Sequence, residues 1–298
     1  MSAINKALIQ ALRTLGLVGL LIVIGCQGLP LKSAPDQKLL QSQIENRIAQ
    51  FEGVVGVHYH HLGSGEEISI RADETFPTAS LVKLPILFAL LDRVSNGELD
   101  WHEKRTYKIA RRYAGEDLLA SFQDGEKIAL SKLADLMIRY SDNTASLWCQ
   151  ELAGTGLTIN RWLQQNGYPN TYVNSRTPGR EDDYKQWGWG QTTPREMTRM
   201  VESLYSRECI GSPWDELMLK LMNSSYWREE MLSAFPPEVT VYSKQGAVNR
   251  SRSEVILAMS PSGPFSLCVI TKEQRDTSWG EDNSGFVLLR DLARICAQ

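Results

Sequence analysis

The chain has 298 residues, 42% of them hydrophobic and 22% charged, and its 32 basic and 35 acidic side chains leave a formal net charge of −3. This length carries one large domain or two modest ones, each with a proper core. The near-neutral balance excludes a polybasic nucleic-acid reader, which needs clustered Lys and Arg to neutralise phosphates, and five cysteines are too few for a disulfide scaffold.

In chain order, Lys6 and Arg13 precede an apolar run from Leu15 to Ile24 that ends at Gly25-Cys26. A basic start, a short apolar centre and a small residue before the cut are features of a secretory signal. The run is shorter than the roughly 20 residues a membrane-spanning helix needs. Val23-Ile24-Gly25-Cys26 also resembles the lipobox of bacterial lipoproteins. That resemblance implies removal of residues 1–25, lipidation of Cys26 and an exported body anchored in the cell envelope. Residues 26–40 carry Pro and Gly and read as a tether.

From Gln41 the pattern is helical, with Ile44, Ile48 and Phe51 at spacings of four and three. Residues 54–60 predict a strand, Gly63-Ser64-Gly65 a turn and residues 67–71 its hairpin partner. A helix is predicted over 80–94, where Pro85 removes one hydrogen bond and predicts a slight bend. Residues 101–233 are mostly helical in pattern, with loops around 113–125 and 168–192. Strands return at 239–244, 254–259 and 266–271, and 284–296 closes the chain as an amphipathic helix. Strands at both ends with helices between them must share one sheet. The predicted fold of 41–298 is therefore an α/β lobe (41–95 and 237–298), with an antiparallel sheet flanked by helices, and an inserted all-α lobe (96–236).

Three short motifs carry chemistry. In Ser80-Leu81-Val82-Lys83, a spacing of three puts a hydroxyl and an amine on one helix face. Serine is a poor nucleophile until a base takes its proton, and a partly desolvated lysine can do that. The helix N-terminus adds a positive dipole end where an oxyanion would form. In Ser141-Asp142-Asn143, a second hydroxyl can relay a proton to a leaving group, Asn143 can hold a substrate amide, and Asp142 braces the loop. In Lys244-Gln245-Gly246, the lysine supplies charge for a substrate carboxylate and the glycine lets substrate lie against the strand edge.

Together, in this order, the three resemble the SxxK, SDN and KTG set of class A β-lactamases and penicillin-binding proteins. The likeness runs through residues 55–87 and 133–154 and through Gln191-Thr192-Thr193-Pro194, and covers roughly 42–298. It implies a monomeric serine hydrolase, without cofactor or metal, that acts on β-lactam amides through a Ser80 acyl-enzyme. Lys83 would accept the Ser80 proton, Ser141 would pass one to the leaving nitrogen, Asn143 would bind the acyl-side amide and Lys244 would complete the electrostatic site. The backbone N–H groups of Ser80 and Ala247 would form the oxyanion hole, with Gly246 against the substrate, and Arg250 or Arg252 would serve its carboxylate. The same acylation turned on peptidoglycan stem peptides, and a non-catalytic envelope-binding lipoprotein, are the alternatives; five intact motif residues speak against the second.

Two positions depart from the family pattern. Gln245 stands where a Thr or Ser hydroxyl usually bonds the substrate carboxylate. Counting back from Pro194, the Glu that activates the deacylating water falls at Thr177; Glu181, Asp182 and Asp183 follow it, and Glu181 is the candidate if the loop takes a different path. His58, His60 and His61 read as strand positions rather than metal ligands, and Trp187-Gly188-Trp189 as packing of the loop onto the body. Pairing among Cys149, Cys209, Cys268 and Cys296 stays open.

Overall fold

The computed structural model describes residues 36–115 and 117–298. The predicted signal segment, residues 1–25, and Cys26 lie outside the described residues. The chain opens with α1 (Gln37–Ile48), β1 (Val54–His61), β2 (Glu66–Ile70), β3 (Phe76–Pro77), a 3-10 turn (Ala79–Val82) and α2 (Lys83–Ser95). Its middle holds β4 (Lys104–Thr106), β5 (Lys127–Ala129), α3 (Leu130–Arg139), α4 (Asn143–Leu152), α5 (Thr155–Gln165), β6 (Tyr172–Val173), α6 (Glu181–Trp187), β7 (Gly190–Thr192), α7 (Pro194–Ser206) and α8 (Trp214–Met222). It closes with β8 (Val241–Val248), β9 (Ser251–Ser260), β10 (Gly263–Lys272) and α9 (Ser284–Cys296).

The terminal strands share one antiparallel sheet in the order β2-β1-β10-β9-β8. Alternation of side chains gives this sheet two buried faces. Ile256, Ala258, Leu267 and Val269 pack with Leu40 and Ile44 of α1 and Leu288, Leu289 and Leu292 of α9. Val255, Leu257, Cys268 and Ile270 join the core of the helical region, with Leu84, Phe88 and Leu91 of α2 and Met137 of α3. Helix α2 is buried along nearly its whole length, so it fixes whatever stands at its N-terminus.

Several boundaries differ from the sequence pattern. Helix α1 starts at Gln37, inside the predicted tether, because the Asp36 carboxylate accepts from the N–H groups of Lys38 (3.0 Å) and Leu39 (3.4 Å). Pro85 lies in the first turn of α2, where N–H groups have no intrahelical acceptor, so it costs no helix bond. The region 168–192 is not a plain loop. It holds β6, α6 and β7 and is tied down by Glu196, whose carboxylate accepts from Asn170 N (3.0 Å) and Thr171 Oγ1 (2.6 Å). Cys149, Cys209, Cys268 and Cys296 are all free thiols.

Candidate active site

Ser80 sits in the 3-10 turn that leads into α2, and its neighbour Ala79 has a left-handed backbone, φ 46°. A non-glycine residue there is strained, and such strain persists only where the surroundings impose it. Here they do: Thr78 N donates to Gly190 O at 2.9 Å, and β8, an edge strand of the main sheet, passes the turn closely. A Cβ on Gly246 would meet Ser80 N at 2.8 Å and Thr78 O at 2.9 Å. Only glycine allows that approach.

Lys83 is fully buried, and four oxygens surround its amine. Nζ lies 2.9 Å from Ser80 Oγ, 3.0 Å from Ser141 Oγ, 2.8 Å from Asn143 Oδ1 and 2.5 Å from the Ser141 carbonyl. Burial pulls its pKa down to about 7, against the opposing pull of Asp117 and Asp142. A lysine with that pKa has its neutral form within reach near neutral pH, and so has a lone pair for the Ser80 proton. Lys244 is also buried and held well below the ordinary lysine value, by burial first and Lys83 second. Its Nζ donates to Ser141 Oγ at 3.1 Å. The Ser141 hydroxyl therefore bridges the two amines, a geometry that can move a proton from one side of the site to the other.

Ser141 is placed by a second left-handed backbone, φ 59°, and by two acids beneath it. Asp142 caps α4, accepting from Ala145 N at 2.7 Å, and its other oxygen accepts from Leu119 N at 2.8 Å. Asp117 accepts from Asn143 N (3.1 Å), Thr144 N (2.7 Å) and Thr144 Oγ1 (2.8 Å). The bracing by Asp142 follows from its N-cap chemistry. Asp117 stands 24 residues upstream of Ser141 in an irregular segment, and only the tertiary fold brings it there.

Two cavities meet at Ser80. The first, of about 530 Å³, is lined by Ser80, Asn143, Ala247, Trp187, Trp189 and Arg250 among others. The tryptophans read as loop packing thus wall the cleft itself. The Trp189 ring lies 5.9 Å from Lys83 Nζ and edge-on to Tyr113 at 5.2 Å. Its position is fixed from behind, where its carbonyl accepts from Asn174 N and Ser175 N, and Ser175 is held by Gln150. The second cavity, of about 580 Å³, is lined by Ser80, Ser141, Asn143, Gln245, Gly246 and Ala247 and by an acidic rim.

Two expected placements differ in the structure, those of Arg252 and Glu181. Arg252 is fully buried; its guanidinium donates to the carbonyls of Val248, Ser251 and Ser278 and stacks on Trp279 and Phe286, so it holds the sheet end rather than a substrate. Arg250 does line the first cavity, with Nε and Nη2 donating to the carbonyls of Gln274 and Glu273. Glu181 starts α6, is exposed, accepts from Gly179 N at 3.1 Å and lines a separate cavity behind Trp189. Thr177 is buried with its hydroxyl against Gly156. The Gln245 amide oxygen folds back to accept from Lys244 Nζ at 3.1 Å. His58 is buried on β1 between Thr198 Oγ1 (2.6 Å) and Arg195 (2.8 Å), and among the described residues no group of His, Cys, Asp and Glu is arranged to hold a metal.

The profile of the β-lactamase enzyme family matches residues 38–298. The β-lactamase ROB-1 of Haemophilus influenzae is 26% identical over 225 residues, 73% of this chain and 71% of that protein. A β-lactamase of Streptomyces albus G is 26% identical over 287 residues, 86% and 84% of the two chains. Among solved structures, an acyl-enzyme complex of a PBP-A variant with penicillin G superposes with a TM-score of 0.77 at 23% identity, covering 90% of this chain and 97% of that one. With a family match over residues 38–298 and the buried Lys83 amine against Ser80 Oγ at the centre of the site, the chain belongs to the β-lactamase enzyme family, as a hydrolase of the β-lactamase type.

Proposed function

We propose that β-lactams acylate Ser80 and that release of the acyl group is the slow step. The observation that carries this reading is the 2.9 Å approach of Lys83 Nζ to Ser80 Oγ, with Ser141 Oγ bridging Lys83 and Lys244. Neutral Lys83 takes the Ser80 proton as Oγ attacks the lactam carbonyl, the C–N bond breaks, and Ser141 hands a proton to the departing nitrogen. The N–H groups of Ser80 and Ala247 receive the oxyanion, and Asn143 holds the acyl-side amide.

Release needs an activated water. Among the described residues lining the Trp189 side, the carboxylate is that of Glu273, on an exposed turn after β10 beside Arg250. Trp189 occupies the wall next to Lys83, and Glu181 lies behind it. A deacylation barrier raised by about 4 kcal/mol slows release about a thousandfold. That feature favours, as a second reading, a penicillin-binding protein acting on peptidoglycan stem peptides. The body is exported and lipid-anchored through Cys26 in this proposal, which rests on the basic, apolar and Gly25-Cys26 pattern of residues 1–26.

The test is incubation of residues 27–298 with nitrocefin and with a fluorescent penicillin, alongside Ser80→Ala. A long-lived stoichiometric label on Ser80 is expected, with slow nitrocefin turnover. No reaction dependent on Ser80 would leave only the envelope-binding reading. Intact mass of the membrane-extracted protein against Cys26→Ser checks the anchor.

A further inference from the structure

Two of the groups expected to receive a substrate carboxylate, Lys244 and Arg252, are engaged within the protein. The three closest acceptors of Lys244 Nζ are Ser141 Oγ, Gln245 O and Gln245 Oε1, all within the protein, and Arg252 is turned into the core. The cavity on this side of Ser80 carries four carboxylates instead, from Asp117, Glu229, Glu230 and Glu281. Asp117 is spent on the N–H groups and hydroxyl of α4. Glu229 and Glu281 stand exposed on the rim. Arg290 is the basic residue in this lining, and it donates to the Glu281 carbonyl.

Glu230 differs from the others. It is 9% exposed, it lines the cavity, and its Oε2 is buried with no hydrogen-bond partner. Leaving a buried carboxylate oxygen unpaired is costly, and a donor arriving in the cavity removes that cost. Behind it, Glu254, the β9 partner of Gln245, is fully buried and accepts from Ser243 Oγ and from Met231 N at 2.8 Å. Burial and Glu229 push the Glu230 carboxyl up, against the opposing pull of Arg290 and Lys244. Tyr140, Trp227 and Trp279 expose aromatic rings around the same opening, and such faces attract cations. The side is also defined: Ser141, the hydroxyl nearest both amines, opens here, whereas Trp187, Trp189 and Arg250 wall the opposite side.

We propose that the leaving-group side of the Ser80 site selects acyl donors carrying a cationic group there, with Glu230 as the specificity-determining residue and Glu229 and Glu281 as the acidic rim. This rests on the Ser80 acylation reading above. Acyl transfer itself is unchanged; the cation contributes by pairing with a carboxylate in a half-enclosed cavity, which strengthens the attraction relative to water.

Two cephalosporins with the same thienylacetyl side chain test it: cephalothin, with a neutral acetoxymethyl group at C3, and cephaloridine, with a cationic pyridiniomethyl group. Their acylation rates are measured by intact mass on residues 27–298 and divided by their rates of hydroxide hydrolysis, which removes intrinsic reactivity. The wild type is expected to favour cephaloridine about fivefold after that correction. The preference should fall toward unity in Glu230→Gln, and part of the way in the exposed double variant Glu229→Gln/Glu281→Gln, whose folding is not at stake. It should also shrink with added salt. A corrected ratio of one in the wild type, or a ratio unmoved in both variants, would overturn the proposal alone. Failure of both compounds to label Ser80 would overturn the acylation reading and the proposal with it.

Discussion

The two halves of a serine hydrolase's work fall in regions of very different construction. Around Lys83, the polar groups are buried or half-buried, bridged and braced from beneath: four oxygens lie within 3.0 Å of one amine, and two acids hold the backbone that supplies them. Around 174–189, the acids that would drive release are on the outside. Asp182, paired with Lys185, has a side chain 97% exposed, and Glu181, the first residue of α6, lines the separate cavity behind Trp189. Motif residues near in sequence thus do not guarantee a complete cycle. The groups for attack on the substrate are built into the core, whereas the acids Glu181 and Asp182 stand at the surface.

Breaking the stronger region gives the largest effect. Lys83→Ala should lower the second-order acylation rate about 10²–10⁴-fold, the range of a lost general base, read by stopped-flow labelling with a fluorescent penicillin. The same assay has a pH signature. Lys83 works in its neutral form, so the wild-type rate should rise as pH increases through about 7 and level off above it. That limb should vanish in Lys83→Ala; a rate that falls through the same window would assign the base elsewhere.

Two smaller changes sharpen the contrast. Trp189→Glu, which puts a carboxylate on the wall beside Lys83, should speed deacylation about tenfold without a matching gain in acylation, followed as decay of the acyl-enzyme mass. Gly246→Ala drives a methyl group against backbone atoms at 2.8 and 2.9 Å, and should cost about 1–3 kcal/mol of stability in urea unfolding, with impaired acylation. At the bottom of the scale, the triple change Glu181→Gln, Asp182→Asn and Asp183→Asn should leave deacylation within about twofold, as expected for charges that do not line the two Ser80 cavities. A larger loss would return one of them to the chemistry.

What could be read from the sequence follows from range. Ser80 and Lys83 share a helix turn, and Ser141 to Asn143 sit on a cap, so local spacing already describes their geometry. The sheet was legible because its two buried faces and terminal hairpins leave a pattern of short apolar strands. Asp117 and Glu230 were not, because each meets the site only through packing. Arg252 read as a partner for the substrate carboxylate, yet Trp279 and Phe286 draw its guanidinium inward. Counting back from Pro194 reaches Thr177, which is buried with its hydroxyl against Gly156, a placement set by packing rather than by local spacing. Trp189 itself read as packing and is in fact a cleft wall, a difference no local pattern records.

The central claim is that acylation at Ser80 outruns release. Intact mass spectrometry of the soluble body after mixing with excess penicillin G tests it directly. The account predicts that one adduct per chain builds up on Ser80, persists long after free drug is removed, and is absent in Ser80→Ala. Rapid consumption of the drug with the unmodified protein predominating throughout would contradict it.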